Sequence, residues 1–169
     1  MQADDLPKTP SFRLDGRRAL ATGAGRGIGL GVATAFAEAG AHVTLCARTT
    51  EEIEKAAEAL RSRGWSADAL TCDVTDLDAF AGAIARAEPY DILFNNAGTN
   101  RPKPFVDVPV EDFDAVMGLN VRAAFFAAQA VVRKLLAAGK PGSIINMSSQ
   151  MGHVGGATRS LYCASKWAM

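Results

Sequence analysis

The sequence predicts an α/β protein, a parallel sheet with helices on both faces. Three observations lead there. From Arg17 onward, short apolar runs alternate with longer alanine-rich segments at helical spacing. Each strand-like run leads into a helix-like segment, which leaves right-handed crossovers as the connections. A glycine cluster, TGAGRGIG, sits at the first strand-to-helix junction.

The elements follow in order. Residues 1–15 open with MQADDLPKTP and read as a flexible leader, with acids and prolines where a signal peptide would carry a basic start and an apolar run. RALAT (18–22) is a strand ending at the glycines. IGLGVATAFAEAG (28–40) is a helix that stops on Gly40. AHVTLCA (41–47) is the second strand. TEEIEKAAEALRSRG (50–64) is a helix with Thr50 as N-cap, acids in its first turn and arginines in its last. SADALTCD (66–73) holds the third strand and DLDAFAGAIARAE (76–88) the next helix. DILFNNAG (91–98) is strand then turn. Residues 110–139 form one long helix or two abutting ones. GSIINMSS (142–149) is a strand, followed by a glycine-rich loop and a helix that opens at Leu161.

At 169 residues, 49% hydrophobic and 21% charged, the chain fits one soluble domain. A formal net charge of zero gives no electrostatic case for nucleic acid or an anionic membrane. The apolar stretch VRAAFFAAQAVVRKLLAAG is broken by Arg122, Gln129, Arg133 and Lys134, so it would cross a bilayer only at a cost. Cys46, Cys72 and Cys163 have neither disulfide nor zinc spacing. A cytoplasmic location is expected, and no metal site.

In the glycine cluster, Gly23, Gly27 and Gly29 would let backbone amides approach a pyrophosphate at the positive end of a helix. A residue about 20 positions further on usually reads the ribose next to adenine: an acid for NAD, an arginine for NADP. The second strand ends in Cys46-Ala47-Arg48-Thr49, and Glu51 and Glu52 already belong to the next helix. Arg48, with Arg26, suits a 2′-phosphate, so NADP(H) is expected over NAD(H).

TGAGRGIG, CDVTD (72–76), NNAG (95–98), the asparagine of LNVRAAF (119–125), INMSS (145–149) and YCASK (162–166) occur in this order. Together they resemble the short-chain dehydrogenases/reductases over 17–169. The resemblance implies a Rossmann-type doubly wound sheet over 16–169, with five strands in the order 3-2-1-4-5. It assigns Thr22, Gly23, Gly27, Ile28 and Gly29 to the cofactor loop. Asp73 and Val74 would meet adenine, and Asn95, Ala97 and Gly98 would line the ribose side and steady the sheet. Asn120, Ser149, Tyr162 and Lys166 would be catalytic, with Lys166 also bonding the nicotinamide ribose beside Tyr162. Ser149 is preferred to Ser148 by its spacing of thirteen from the tyrosine.

The chemistry of these types is coherent. Reducing a ketone needs a hydride on carbon and a proton on oxygen. A free phenol, with a pKa of about 10, exchanges its proton slowly at neutral pH, and a nearby ammonium favours the phenolate. Tyr162 and Lys166 lie one helical turn apart on one face. Ser149 could donate to the substrate oxygen, and Asn120 would hold a relay water. Taken singly, each has an ordinary reading: a half-buried tyrosine, a solvated lysine, a turn-forming serine. His42 reads as a strand-end residue, His153 as a loop residue bordering substrate, and Cys163 as no nucleophile.

The resemblance implies a homo-oligomer, dimer or tetramer, built on helices 110–139 and 161–169, and a small carbonyl or alcohol substrate, a sugar acid or a 3-oxoacyl group. It also implies further elements after Met169: the rest of the tyrosine helix, two strands, a helical lid and a proline-glycine loop. The chain is therefore expected to be a fragment of a longer enzyme, its last strand an exposed edge near Ile144 and Ile145. The rival expectation is a catalytically inactive nucleotide-binding or assembly module on the same fold.

Overall fold

The strands are β1 (Arg18–Thr22), β2 (His42–Ala47), β3 (Ala67–Thr71), β4 (Ile92–Asn95) and β5 (Ser143–Asn146). They form one five-stranded sheet in the order β3-β2-β1-β4-β5, with every pairing parallel. This is the expected order. The structure, a computed structural model, describes residues 10–169, so the first nine residues of the expected leader lie outside the described residues. Its later part is tied down: the Leu14 amide donates to Ala39 O at 2.8 Å, and Arg13 pairs with Asp15 at 2.6 Å.

Register explains the apolar runs. Ala21 pairs with Leu45 on one side and Phe94 on the other, so β1 is central and buried on both faces. A strand buried on both faces loses the apolar–polar alternation of a half-exposed one. One face carries α1 (Gly27–Glu38) and α2 (Thr50–Arg61), which bury Ala33, Ala37, Ile53, Ala57 and Leu60. The other carries α3 (Leu77–Arg86) and α5 (Ala124–Ala137), which bury Phe80, Ile84, Ala127, Val131 and Leu135. Alanine at so many contact positions lets the helices approach the sheet closely. β5 is the outer strand, and Ile145 is exposed there, as expected.

Two details differ from expectation. Helix α2 begins at Thr50, and its N-cap is Thr49, extended and without a side-chain capping bond. The long helix is a single rod with a fault in it. α4 (Val110–Met117) passes into a π-helical stretch, Gly118–Ala123, and then into α5. A π turn inserts extra chain and rotates the face that follows. By length and composition Val110–Ala137 could cross a membrane. Here Val116, Ala123, Ala127, Val131 and Leu135 are buried in the protein core.

His42 opens β2, as expected for a strand-end residue. Its ring lies between Ser66 Oγ at 2.6 Å and Asp68 Oδ2 at 2.7 Å, bridging β2 to β3 at the amino end of the sheet.

Leu93 is fully buried in β4. Leu93→Ala should cost about 2–5 kcal/mol of unfolding free energy, measured by urea denaturation. A smaller cost would mean that this side of the core can collapse around the gap.

Candidate functional site

The carboxyl ends of the strands carry the site. Beyond Thr22 the chain turns through Gly23 (φ +62°) and Gly27 (φ +57°) into α1. These are left-handed backbone conformations that glycine adopts readily. The first turn of α1 has no acidic residue and no side-chain cap, so its amides are available to an anion. At Gly29 a Cβ would overlap Gly23 O and the Asn96 side-chain nitrogen, and at Gly23 it would lie 2.9 Å from Ala97 Cα. Only glycine fits both positions.

Asn96 locks this turn. Its Nδ2 donates to Thr22 O and Gly23 O, each at 3.0 Å. In return, Thr22 Oγ1 accepts the amides of Asn96 and Ala97, each at 3.1 Å. Sequence reasoning missed Asn96, although its signal lay in plain view as the second asparagine of NNAG. Thr22 and Asn95 are buried behind the loop. Asn95 Nδ2 donates to Ala124 O and Asn146 Oδ1, each at 3.0 Å, joining β4 to α5 and β5.

In front of the loop lies an open crevice of about 240 Å³. Gly23, Arg26, Arg48, Asp73, Val74, Ala97 and Gly98 all line it, and Gly27, Ile28 and Gly29 open the helix beside it. Arg48 Nη1 lies 3.8 Å from Asp73 Oδ2, and Arg26 Nε lies 3.7 Å from Glu52 Oε1. Glu52 belongs to α2, as expected, and from there it lines the crevice and covers Gly25. Partial burial pulls the Asp73 carboxyl upward, but the Thr75 amide at 2.9 Å, the Thr75 hydroxyl at 2.7 Å and Arg48 outweigh it, and its pKa falls below the usual carboxylate value. Cys46 and Cys72 also line the crevice. Burial pushes both thiols up, Cys46 to about 12, which keeps them protonated and unreactive.

The four expected catalytic residues gather around α6 (Ser160–Ala168). Lys166 is buried, and its Nζ donates to Met147 O at 2.5 Å, just past the end of β5. The same ammonium lies 5.8 Å from the centroid of the Tyr162 ring, within cation–π range. Burial holds the Lys166 pKa below its ordinary value. Ser148 Oγ donates to Lys166 O at 2.9 Å. Ser149 Oγ accepts the Met151 amide at 3.2 Å, which leaves its own proton free to donate. This separates the two serines: one ties down the helix, while the other keeps its donor.

Asn120 lies in the π stretch with its side chain fully committed. Its Oδ1 accepts the Thr99 amide at 2.8 Å, and its Nδ2 donates to Thr99 O and Ser165 Oγ, each at 2.9 Å. His153 is exposed, and Cys163 is buried against Met151 and Val154.

A family model for short chain dehydrogenases matches residues 17–169. This chain belongs to the short-chain dehydrogenase family. It is 38% identical over 156 residues to L-xylulose reductase of Mesocricetus auratus, covering 92% of this chain and 62% of that protein. It is 40% identical over 162 residues to gluconate 5-dehydrogenase of Gluconobacter oxydans, covering 94% and 63%. Among solved structures, a gluconate 5-dehydrogenase from Burkholderia cenocepacia in complex with NADP and tartrate superposes with a TM-score of 0.88 at 41% identity, covering 94% of this chain and 63% of that one. A short-chain type dehydrogenase/reductase from Mycobacterium marinum gives 0.89 at 37% identity, covering 94% and 66%. The chain thus spans less than two thirds of the length of these relatives.

The buried ammonium has a signature in stability. Because the folded state lowers the Lys166 pKa below 10.5, the unfolded chain binds more protons between that lowered value and 10.5. Unfolding free energy should therefore rise with pH through this window, an increment that Lys166→Met should lack. Parallel pH slopes for the two proteins in urea titrations would contradict the buried charge.

Proposed function

We propose that the protein is an NADP(H)-preferring oxidoreductase interconverting a secondary alcohol and a ketone. The observation that carries this reading is a glycine turn at a helix N-terminus, packed too closely against Ala97 and Asn96 for any side chain at Gly23 or Gly29, set at the same sheet edge as a tyrosine under a buried ammonium. The cradle's chemistry fits a dinucleotide: open amides at a helix N-terminus for the pyrophosphate, Asp73 and Val74 for the adenine, and Arg48 and Arg26 for a 2′-phosphate. When bound, that cofactor supplies or takes up the hydride.

The chain's own groups handle the proton and the charge. Tyr162 gives its proton to the substrate oxygen in reduction and takes it back in oxidation. Ser149 donates to the same oxygen as charge develops on it. Lys166 holds positive charge beside the phenol and would bond the cofactor ribose. Asn120 fixes the segment after β4 against α6.

The substrate is a polyhydroxylated ketone or its alcohol, either a ketose or a sugar acid. The relatives named for xylulose and gluconate support that class over a 3-oxoacyl group. The exposed apolar residues Phe113, Phe125, Val132 and Leu136 along α4 and α5 suit a homo-oligomer contact. Cys46, Cys72 and Cys163, all free thiols, suit a cytoplasmic enzyme.

Tyr162→Phe removes the acid while keeping the ring. Turnover of a ketose or keto-acid panel with NADPH should fall by about 10²-fold or more, with dinucleotide affinity nearly unchanged by fluorescence titration. Turnover that survives the change defeats the mechanism, and binding without turnover in the unaltered protein points to a nucleotide-binding module instead. Arg48→Ala should weaken NADPH binding relative to NADH by about 10–100-fold, the scale of one charge-assisted contact.

A further inference from the structure

We infer that Asp112, outside the catalytic group and the crevice, is a positioning residue that sets the substrate side of the site. This rests on the oxidoreductase reading above. The segment TNRPKP, residues 99–104, leaves the end of β4 with no regular structure. It is stiff all the same, because Pro102 and Pro104 each fix a φ angle and shorten the list of conformations open to it. Anchors fall on every second residue, as an extended chain presents them. Thr99 is held at both its amide and its carbonyl by Asn120. Arg101 Nη1 meets Asp112 Oδ1 at 2.7 Å, and Lys103 Nζ meets Asp112 Oδ2 at 2.7 Å.

Asp112 is itself buried, in the first turn of α4, where the helix end favours a negative charge. It receives two cations on two separate oxygens, so it closes both ends of the Arg101-Pro102-Lys103 span onto one helix. The Lys103 amide then donates to Thr158 O at 2.9 Å. Thr158 has φ +58°, the only non-glycine residue with a positive φ among the described residues. A β-branched residue in that conformation is uncommon and persists where its surroundings hold it. It stands four residues before Tyr162 in the chain.

The path is continuous. Asp112 holds Lys103, Lys103 holds Thr158, and Thr158 precedes the helix that carries the tyrosine. The glycine cradle is braced by Asn96 and Thr22, neither of which is hydrogen-bonded to Asp112, Arg101, Lys103 or Thr158. Loss of Asp112 should therefore loosen substrate binding and leave dinucleotide binding intact.

The test uses Asp112→Asn, which keeps the shape and removes the charge, and Asp112→Glu as the conservative variant. Hydrogen exchange at the Lys103 amide should speed up at least about tenfold in Asp112→Asn and recover in part in Asp112→Glu. KM for the ketone should rise about tenfold or more, with kcat within about threefold and dinucleotide affinity unchanged. An unchanged Lys103 exchange rate overturns the inference, as does fast exchange with an unaltered KM. A joint loss of dinucleotide binding and substrate binding reduces Asp112 to a general stabiliser and also overturns it. If Asp112→Asn does not fold, Lys103→Met replaces it, since Arg101 still neutralises Asp112, and the same KM and dinucleotide criteria decide. If the unaltered protein binds dinucleotide but turns over no ketone, the parent reading has failed, and the exchange rates alone decide whether Asp112 holds the strap.

Discussion

Lys166 carries a full positive charge to a place that water scarcely reaches, and the rest of the site is arranged around that fact. Taking an ammonium out of water costs free energy unless dipoles replace the lost hydration. Met147 O supplies one such dipole, and the face of the Tyr162 ring supplies another. Ser148 then fixes the backbone of the same residue by donating to Lys166 O, in a contact so close that Gly152 beside it has no room for a Cβ. Helix α6 is thus docked onto the end of β5 through one lysine, side chain and main chain together. The tyrosine one turn earlier has its position set by that docking.

Elsewhere at this sheet edge, side-chain amides do the work that ladders do inside the sheet. Each strand end releases backbone groups that need partners. Asn96 takes two carbonyls of the glycine turn, Asn95 joins α5 and β5, and Asn120 satisfies both polar groups of Thr99 and reaches Ser165. An amide suits this task because it has donors and an acceptor on one short rigid arm. The crevice forms beside β1, between β2 and β4, where successive crossovers leave in opposite directions and the loops splay apart.

The sheet was legible in the sequence because burial on both faces leaves an unmistakable apolar run, as in RALAT and ILFN. Helices α1 and α2 were legible in part because each has a stop that sequence marks, Gly40 and Gly64, both with positive φ. The cap of α2 was placed one residue late, since Thr49 and Thr50 are chemically alike and only backbone geometry separates them. The π turn was hidden for a related reason. Its residues, GLNVRA, carry no helix breaker beyond one glycine, and the contact made within the turn, Asn120 to Thr99, lies 21 positions away in the chain. That Glu52, inside α2 as expected, also lines the crevice was not legible, because helical spacing says which face a side chain is on but not what that face meets.

Exposure divides the ion pairs at this edge into two kinds. Arg26–Glu52 and Arg48–Asp73 stand 3.7 and 3.8 Å apart with both arginines largely in solvent. Exposed pairs of this kind are worth roughly 0.2–1 kcal/mol, so a phosphate entering the crevice would displace either pair at little cost. The acids keep the crevice near neutral until then, which spares the protein a cluster of bare cations. Asp112 makes two 2.7 Å contacts and is itself buried. The shorter distances and the buried carboxylate make this pairing tighter than those in the crevice. The loose pairs can thus re-pair with a ligand, while the tight one gives the segment before Tyr162 a constant shape.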